Sequence, residues 1–369
     1  MNKENPKISV VMSVYNGSYY LRESIESILN QTFTDFEFII INDCSTDNSW
    51  EIINEYAEKD SRIVLVNNLE NIGLTKSLNK GLKIAKGEYI ARQDADDVSL
   101  PQRFEKQVLV LNEKPEVALA SCEIEYINPE GGFIGKDLSA CAPDLVAWYL
   151  LFFNRLSGHS QVVFRKQLVL DIGGYCESYR YSQDYELWCR IVKIRKIFIL
   201  PEVLLQQRRH NQSISLVKSS EQEAYVINQV KQNIHQLIGK EISFEEALFL
   251  KEFWMEYGRT KTIPVNKKLI VIHNLMKEIT RAFVNRKTSN SISKSELSKE
   301  LQTLTGNQFI AWMKTLSNKD EFIAKIYISL YTLMWYPLGL VKYYIKGIKN
   351  LLLRIVGKLK FKAIIKANT

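Results

Sequence analysis

The sequence lacks the signatures of several common protein classes. Its five cysteines are scattered and form no CxxC pair, which disfavours a disulfide framework or a zinc site and favours a reducing compartment. No GxGxxG follows the first apolar run and no GxxxxGKS/T occurs anywhere, so dinucleotide-binding and P-loop proteins are disfavoured. With eight prolines and sixteen glycines in 369 residues, the chain is not of low complexity either.

Acidic residues are missing from the last part of the sequence. Residues 342–369 carry eight Lys or Arg and no Asp or Glu, while the whole chain has a formal charge of +8, so the remainder is formally neutral. The basic balance therefore predicts no nucleic-acid partner. It indicates one positive segment that would meet a negative surface.

Strand and helix patterns alternate over the first 130 residues. Apolar runs that predict buried strands lie at Ile8–Val14, Phe36–Ile41, 63–66 and 88–92, and helical apolar stripes separate them. This alternation predicts an α/β fold with a mostly parallel, doubly wound sheet, in which ligands bind at the carboxyl ends of the strands.

The pattern changes twice further along the chain, and these changes predict the domains. Residues 117–205 mix strand and helix signals, and from about residue 219 strand alternation vanishes in favour of helical stripes. We expect a catalytic domain, a helical region and a basic amphipathic tail, at 1–218, 219–320 and 321–369.

Acidic residues follow two of the predicted strands. Asp43 comes after the second strand, and Asp94-Ala-Asp-Asp97 comes after the fourth. Two carboxylates at i and i+2 in such a turn can face one point above the sheet edge, and hard oxygen ligands suit Mg²⁺ or Mn²⁺. A divalent ion held there could neutralise a departing diphosphate. Taken singly, these residues could instead cap turns or helices.

Five motifs in order resemble the glycosyltransferase family 2 pattern, strongly over residues 6–125 and moderately over 126–216. They are Ile8-Ser-Val-Val-Met-Ser-Val-Tyr-Asn-Gly17, Leu21-Arg-Glu-Ser-Ile-Glu-Ser-Ile-Leu-Asn-Gln31, Asn42-Asp-Cys-Ser-Thr-Asp47, Asn71-Ile-Gly-Leu-Thr-Lys-Ser-Leu-Asn79 and Asp94-Ala-Asp-Asp97. The resemblance implies the GT-A nucleotide-diphospho-sugar transferase fold, with a nucleotide-sugar part at about 1–125 and an acceptor part at about 126–218. The sequence of Ala91–Asp97 is most similar to that of the bacterial branch of the family, whose members build capsule, exopolysaccharide and lipopolysaccharide.

The resemblance implies roles for the donor side of the site. A nucleotide sugar, most commonly a UDP-sugar, would be bound by Ser13, Tyr15, Asn16, Asp43, Lys76, Asp94 and Arg208. Mn²⁺ or Mg²⁺ would be held by Asp94, Asp96 and His210, with Asp96 as the more direct ligand and Asp94 nearer the sugar or ribose. Asp97 would share the metal or cap the following helix.

The resemblance also implies the catalytic and acceptor residues of an inverting hexosyl- or N-acetylhexosaminyl-transferase. Asp184 corresponds to the catalytic base, which takes the proton of the attacking sugar hydroxyl. Gln183 stands where the family usually has Glu, and this departure affects acceptor recognition more than the chemistry. His159 matches the acceptor side more loosely, as does Gly173-Gly174.

Three other functions remain possible on the sequence. A sugar nucleotidyltransferase would need a Gly-rich basic loop after the first strand, and Tyr15–Tyr20 is not one. A processive membrane synthase would need several membrane spans and a Gln-x-x-Arg-Trp motif, but no tryptophan follows an arginine. A catalytically silent nucleotide-sugar-binding scaffold is suggested only by Gln183.

The tail predicts peripheral membrane association. Ile326–Val341 has no charge but is interrupted by Pro337 and is short for a spanning helix. Beyond it, an apolar stripe recurs at helical spacing among basic residues, at Ile345, Ile348, Leu352, Ile355 and Leu359. Such a helix is typical of an interfacial segment, although a packing stripe is the alternative. We expect residues 326–366 to bind an anionic membrane, with the enzyme cytoplasmic at the inner face of the plasma membrane and its acceptor a glycan on a lipid carrier.

Overall fold

A computed structural model describes residues 5–211, 213, 219–255, 265–286, 292–316 and 322–346. The chain divides into two compact units, Met1–Gln229 and Val230–Thr369. The expected boundary at 218 falls before this division, because the start of the following helix packs on the first unit. There, the Tyr179 hydroxyl donates to Gln229 Oε1 at 2.9 Å and the Tyr225 ring lies 5.5 Å from that of Tyr179.

The first unit is built on a mixed sheet. Its nine strands among the described residues run in the order β3-β2-β1-β4-β8-β6-β9-β5, and β7 pairs with β6. The strands are β1 Ile8–Val14, β2 Phe36–Asn42, β3 Ile63–Asn67, β4 Tyr89–Arg92, β5 Val98–Ser99, β6 Val117–Ile127, β7 Phe133–Asp137, β8 Val163–Arg165 and β9 Lys196–Arg208. The helices are α1 Ser18–Leu29, α2 Ser49–Lys59, α3 Leu74–Ile84, α4 Arg103–Glu113, α5 Pro143–Tyr149, α6 Lys166–Asp171 and α7 Gln183–Ile191.

The first four strands of the order are parallel, as the strand–helix alternation predicts. Ile8 pairs with Phe36 across β1 and β2, and β4 and β3 extend the ladder in the same direction. β8 then runs antiparallel to both β4 and β6, while β6 and β9 pair in parallel. The carboxyl ends of β1, β2 and β4 therefore share one edge.

Both faces of the parallel part are buried, which makes the sheet doubly wound. Successive β1 residues point to opposite sides: Met12 joins the core under α1, α2 and α4, and Val11 joins the core under α3 and α7. Gly81 brings α3 close to β1, since a Cβ on it would lie 2.6 Å from Val11 Cγ1. The apolar run of each strand therefore reflects helices on both sides.

The second unit is helical in its described residues, as expected. Its helices are α8 Ser219–Ile238, which begins in the first unit, α9 Phe244–Met255, α10 Val265–Arg286, α11 Lys294–Thr315 and α12 Phe322–Trp335. Residues 337–346 continue as a further helical stretch. α11 begins at a capping box in which the Ser293 side chain accepts from the Glu296 amide, so its first turn is satisfied locally.

Only the first part of the expected tail lies within the described residues. Its first part, 322–346, is helical and contributes to the core of the second unit, because Ile328 and Thr332 are fully buried and Trp335 Nε1 donates to His273 Nδ1 at 3.2 Å. Residues 347–369, with most of the basic stripe, lie outside the described residues. Among the residues that are described, no helix combines the length and apolarity needed to cross a bilayer.

Candidate active site

Polar residues from distant parts of the sequence meet at the carboxyl edge of the parallel strands. Asp94 and Asp96 follow β4, and His210 follows β9. Among the residues that the structure describes, three that are not glycine have a positive φ, a conformation that costs energy and clusters at functional sites: Asn16 at 51° and Cys44 at 62°, after β1 and β2, and Ser182 at 56°, before α7. All three lie in the loops that surround this edge.

The side chains of Asp96 and His210, two of the predicted metal ligands, are in direct contact. The Asp96 Oδ2 atom lies 2.8 Å from His210 Nε2, and the two side chains are 31% and 13% exposed. The Tyr20 ring, with its centroid 5.0 Å from that of the imidazole, packs beside the pair. A carboxylate and an imidazole at this separation can bind one divalent ion on their open side.

Asp94 is engaged differently from Asp96. Its carboxylate accepts a hydrogen bond of 2.5 Å from Arg92, whose side chain is fully buried, and its amide donates to Ser160 Oγ at 2.9 Å. Burial acts to raise the pKa of Asp94, but the Arg92 charge and further hydrogen bonds outweigh it, so this pKa is lowered. Asp94 is therefore held ionised beside the Arg92 cation.

Asp97 is an internal anchor. Its carboxylate accepts from Ser160 Oγ at 2.5 Å and from the Arg208 amide at 3.1 Å, and only 2% of the residue is exposed. Burial, with the nearby Asp96 and Asp94 charges, raises the pKa of Asp97 well above its usual range. It does not cap α4, whose N-cap is Gln102.

Arg208 fixes the turn that carries Asp96. Its guanidinium donates to the carbonyl oxygens of Asp96, Asn128 and Pro129 and to the Glu23 carboxylate, at 2.5–3.2 Å. It also lies 4.6 Å above the Tyr20 ring centroid and is 3% exposed. Its contacts are thus with the protein, and they join the turn after β4 to the end of β6.

Asp184 lies in the first turn of α7, two residues after Ser182, the N-cap with a positive φ. Its Oδ2 atom accepts from Asn154 Nδ2 at 2.9 Å, and burial raises the pKa of the carboxyl. The neighbouring Gln183 is 6% exposed. A half-buried carboxylate with a raised pKa is a better proton acceptor than an ordinary surface aspartate.

His159 contacts Arg92, the cation that pairs with Asp94. It is 9% exposed, it is 2.8 Å from the Tyr175 hydroxyl and 3.3 Å from Arg92 Nε, and its ring packs edge-on against Trp188. Burial, with the Arg92 charge, lowers its pKa to about 3, so the imidazole is neutral. These surroundings favour a positioning role over contact with an acceptor.

The nucleotide-side residues fall into two groups. Asp43 is 2% exposed, and its carboxylate accepts from Asn68 Nδ2 and from the amides of Ile72 and Gly73 at 2.8–3.0 Å. Asn16 Oδ1 accepts from the Thr46 amide at 2.8 Å. Both therefore order loops, whereas Tyr15 is 54% exposed, Lys76 is exposed and Ser13 is partly exposed at the same edge.

Sequence reasoning missed the buried cations that support the motif. Arg92 is described above, and Arg103 donates to Gln93 Oε1, to Ser99 Oγ and to the carbonyls of Arg92 and Val162, at 2.6–3.2 Å. Burial lowers the pKa of Arg103 to about 10. The nearness of Arg92 and Arg103 to the acidic motif in the sequence could have indicated that they support it. The contact of Ser160 with Asp94 could not have been found in this way, because the two residues are far apart in the sequence and meet only in the folded chain.

Two of the three predicted metal ligands are arranged so that they could bind a divalent ion. Among the described residues, no cluster of three or more His, Cys, Asp or Glu side chains is arranged to hold a metal. Asp94 pairs with Arg92. Of the predicted metal ligands, Asp96 and His210 converge at ligand spacing. Two protein ligands suffice for an ion that keeps waters and binds substrate phosphates, as Mg²⁺ commonly does.

Solved structures support the fold assignment. S. aureus TarS, crystallised with UDP, matches with a TM-score of 0.52 and 16% identity over 83% of this chain and 88% of that one. The TarS complex with UDP-GlcNAc gives a TM-score of 0.53, again at 16% identity, over 83% and 89%. The fold is thus the GT-A type that the motifs predict.

Sequence comparisons identify the family. The family model described as glycosyl transferase family 2 matches residues 9–188. An uncharacterised glycosyltransferase of Methanocaldococcus jannaschii is 37% identical over 60% of this chain and 77% of its own length. The O-antigen biosynthesis glycosyltransferase WbnJ of Escherichia coli is 39% identical over 56% and 81%, and the amylovoran biosynthesis glycosyltransferase AmsE of Erwinia amylovora is 32% identical over 54% and 75%. The chain belongs to glycosyl transferase family 2.

Proposed function

We propose that this enzyme transfers a sugar, with inversion, from a nucleoside-diphosphate donor to a growing bacterial cell-surface polysaccharide. Family membership supports transfer from an activated sugar, and the relatives named for O-antigen and amylovoran biosynthesis support the polysaccharide. The observation that carries the proposal is the meeting of Asp96 and His210 at 2.8 Å, at the sheet edge where the motif-bearing loops converge.

Asp184 acts as the general base in this proposal. Its carboxylate takes the proton of the acceptor hydroxyl while the hydroxyl oxygen bonds to the anomeric carbon and the bond from that carbon to the diphosphate breaks. Direct displacement inverts the anomeric configuration. The Asn154 hydrogen bond orients the carboxylate, and its raised pKa brings its basicity closer to the working pH.

Asp96 and His210 would hold Mn²⁺ or Mg²⁺. The bound ion supplies charge neutralisation for the leaving diphosphate. Asp94, oriented by Arg92, accepts hydrogen bonds from the donor sugar or ribose. Arg208 holds the Asp96 turn through its backbone, which is a positioning role.

The nucleotide lies against the carboxyl ends of β1 and β2. Tyr15, Ser13 and Lys76 are accessible there for contact with the base, ribose or phosphates. Asp43 and Asn16 shape the loops, and Asp43 retains capacity for a further bond, since a carboxylate offers about four acceptor positions and three are used. Gln183 would contact the acceptor.

A donor screen tests the catalytic proposal. Purified protein with Mn²⁺ or Mg²⁺ and a panel of nucleotide sugars, beginning with UDP-GlcNAc, should release nucleoside diphosphate from one of them. Asp96→Asn should reduce release about 10²–10³-fold, since metal neutralisation is worth several kcal/mol, and should weaken Mn²⁺ binding measured by calorimetry. The exposed Asp35→Asn is the matched control. Full turnover in chelator would exclude the metal, and no release with any donor would favour a scaffold.

We also propose that the enzyme works at the inner face of the plasma membrane on a lipid-linked glycan. The basic residues of 342–369 are the support, because each cation near an anionic surface contributes roughly 1 kcal/mol to binding. Full-length protein should float with phosphatidylglycerol vesicles at low salt, and a chain ending after residue 346 should largely remain behind with donor hydrolysis intact. Equal flotation of both chains would contradict this role for the basic residues.

A further inference from the structure

A basic cavity lies within the helical unit, among α10, α11 and α12. Its volume is about 370 Å³, and its lining includes Lys277, Thr280 and Arg281 of α10, Ser298 and Gln302 of α11, and Met334 of α12. Two of these are cations, and none of the described lining residues is acidic. The catalytic proposal does not use this cavity.

The cavity wall contains a buried polar group that meets no hydrogen-bond partner among the described residues. Thr280 is 6% exposed, and its hydroxyl has no hydrogen-bond partner within the described part of the chain. The hydroxyl of a helical threonine commonly donates to a backbone carbonyl one turn earlier. A buried hydroxyl that does not do so loses its hydrogen bonds to water without replacement, which costs free energy of folding. An anionic oxygen in the cavity would satisfy it together with Lys277 and Arg281.

An apolar surface starts at the mouth of the cavity. Met334 lines the cavity and is also 60% exposed. It belongs to the outward face of α12, whose five members are 46–60% exposed: Ile326, Tyr327, Leu330, Leu333 and Met334. The opposite side of α12 is buried through Ile328 and Trp335, so this helix is apolar on both sides. The exposed apolar residues continue at Leu338, Val341 and Ile345.

The charge pattern favours a lipid as the occupant of both features. Residues 342–369, which directly follow the outward face, carry eight cations and no acid. A second copy of the same surface would bring these like charges together, whereas an anionic bilayer would attract them. An amphipathic surface of apolar residues flanked by Lys and Arg is typical of interfacial binding.

We infer that the α10–α11–α12 cavity binds the phosphate headgroup of an anionic membrane lipid while the outward face of α12 contacts the hydrocarbon boundary. Lys277 and Arg281 would ligate the phosphate, and Thr280 would donate to it. This inference rests on the membrane association proposed above and assigns it a specific headgroup site. It would orient the helical unit on the bilayer rather than merely attract it.

Vesicle partitioning of full-length protein tests the inference. The double variant Lys277→Gln/Arg281→Gln should lower the partition coefficient onto phosphatidylglycerol vesicles by about 30-fold. The charge-matched control Arg286→Gln/Lys314→Gln changes exposed residues outside the cavity lining and should lower it by less than about threefold. If both double variants lower the partition coefficient equally, the loss reflects the general charge of the protein, and the headgroup site is overturned.

Thr280→Val separates a binding role from a structural one. Removing a hydroxyl that has no partner should leave the melting temperature unchanged or higher, since the replacement is apolar and of similar shape. It should nevertheless weaken vesicle binding by about threefold. A lower melting temperature with unchanged vesicle binding would overturn the role assigned to Thr280 and thus the headgroup contact.

Further arms identify the occupant. Inorganic phosphate should not bind measurably by calorimetry, and tight binding of phosphate without a vesicle effect of the cavity variant would overturn the lipid assignment. Leu330→Ser should weaken vesicle binding without changing the mass measured by light scattering. A stable dimer that this variant dissociates would also overturn the lipid assignment.

If the wild type ignores anionic vesicles, the membrane proposal itself fails. If the wild type binds and the cavity variant matches its control, only the headgroup site fails.

Discussion

The two units differ in where they leave charge beside a candidate binding feature, although both bury some, since Lys268 and Glu252 form a buried ion pair at 3.2 Å in the second unit. In the first unit, fully buried Arg92 and Arg103 are surrounded by carbonyls, hydroxyls and a carboxylate, and this network supports the Asp94–Asp97 turn. In the second unit, the cations Lys277 and Arg281 remain exposed at a cavity, and apolar residues face outward on α12. Buried, satisfied charge fixes the neighbouring polar groups in place, whereas exposed charge beside apolar surface is suited to an external partner.

The largest effect that distinguishes the units is expected at Asp184. Asp184→Asn keeps the shape and the Asn154 contact region but removes the base, so sugar transfer should fall by about 10²–10⁴-fold. Donor binding, measured by calorimetry, should be unchanged. Asp171→Asn changes an exposed carboxylate at the end of α6 in the same way, is the matched control, and should retain turnover. Wild-type transfer by Asp184→Asn would show that another group takes the proton.

A core substitution in the second unit should affect stability without affecting chemistry. Leu301 on α11 is fully buried, so Leu301→Ala should lower the free energy of unfolding by about 2–5 kcal/mol. Donor hydrolysis below the unfolding transition should stay near the wild-type rate. Lys299→Ala, an exposed change on the same helix, should stay within about 0.5 kcal/mol. If Leu301→Ala abolishes hydrolysis while the protein is folded, the division of roles between the units is wrong.

The smallest expected effect is a displacement of the pH profile. Asp184 must be ionised to act, and burial raises its pKa, so activity should be lost on acidification at a higher pH than an ordinary aspartate would give. Asn154 donates to the carboxylate and lowers this pKa, so Asn154→Ala should move the acidic limb further upward. The limb is measured from kcat/KM against pH. A limb that moves downward, or does not move, would contradict the assignment of Asp184 as the titrating base.

The carboxyl edge of the parallel strands could be predicted because its signals are local. β1 was expected at Ile8–Val14 and is found there, and β2 was expected to end at Ile41 and ends at Asn42. Apolar runs bounded by turn residues determine such strands with little help from the rest of the chain. The ends of parallel strands share an edge, so Asp94, Asp96 and Asp43 could be placed on it before the structure was known.

The distinctions between neighbouring residues could not be predicted. Asp94 and Asp96 are equivalent in a sequence motif, yet one pairs with Arg92 and the other with His210. Asp97 becomes an internal anchor because Ser160 and the Arg208 amide reach it from distant strands. The tail was similarly underdetermined, since a helix that is apolar on both sides does not reveal which side is buried.

The sequence by itself determined the strand–helix alternation, the acidic turn at the sheet edge, the family and the basic end of the chain, because each depends on residue type and local spacing. Only the tertiary structure decided the partner of each carboxylate, the inclusion of α12 in the helical core and the cavity beside Thr280. These depend on contacts between residues far apart in the chain, where the geometry of packing, and not the local pattern, selects which groups meet.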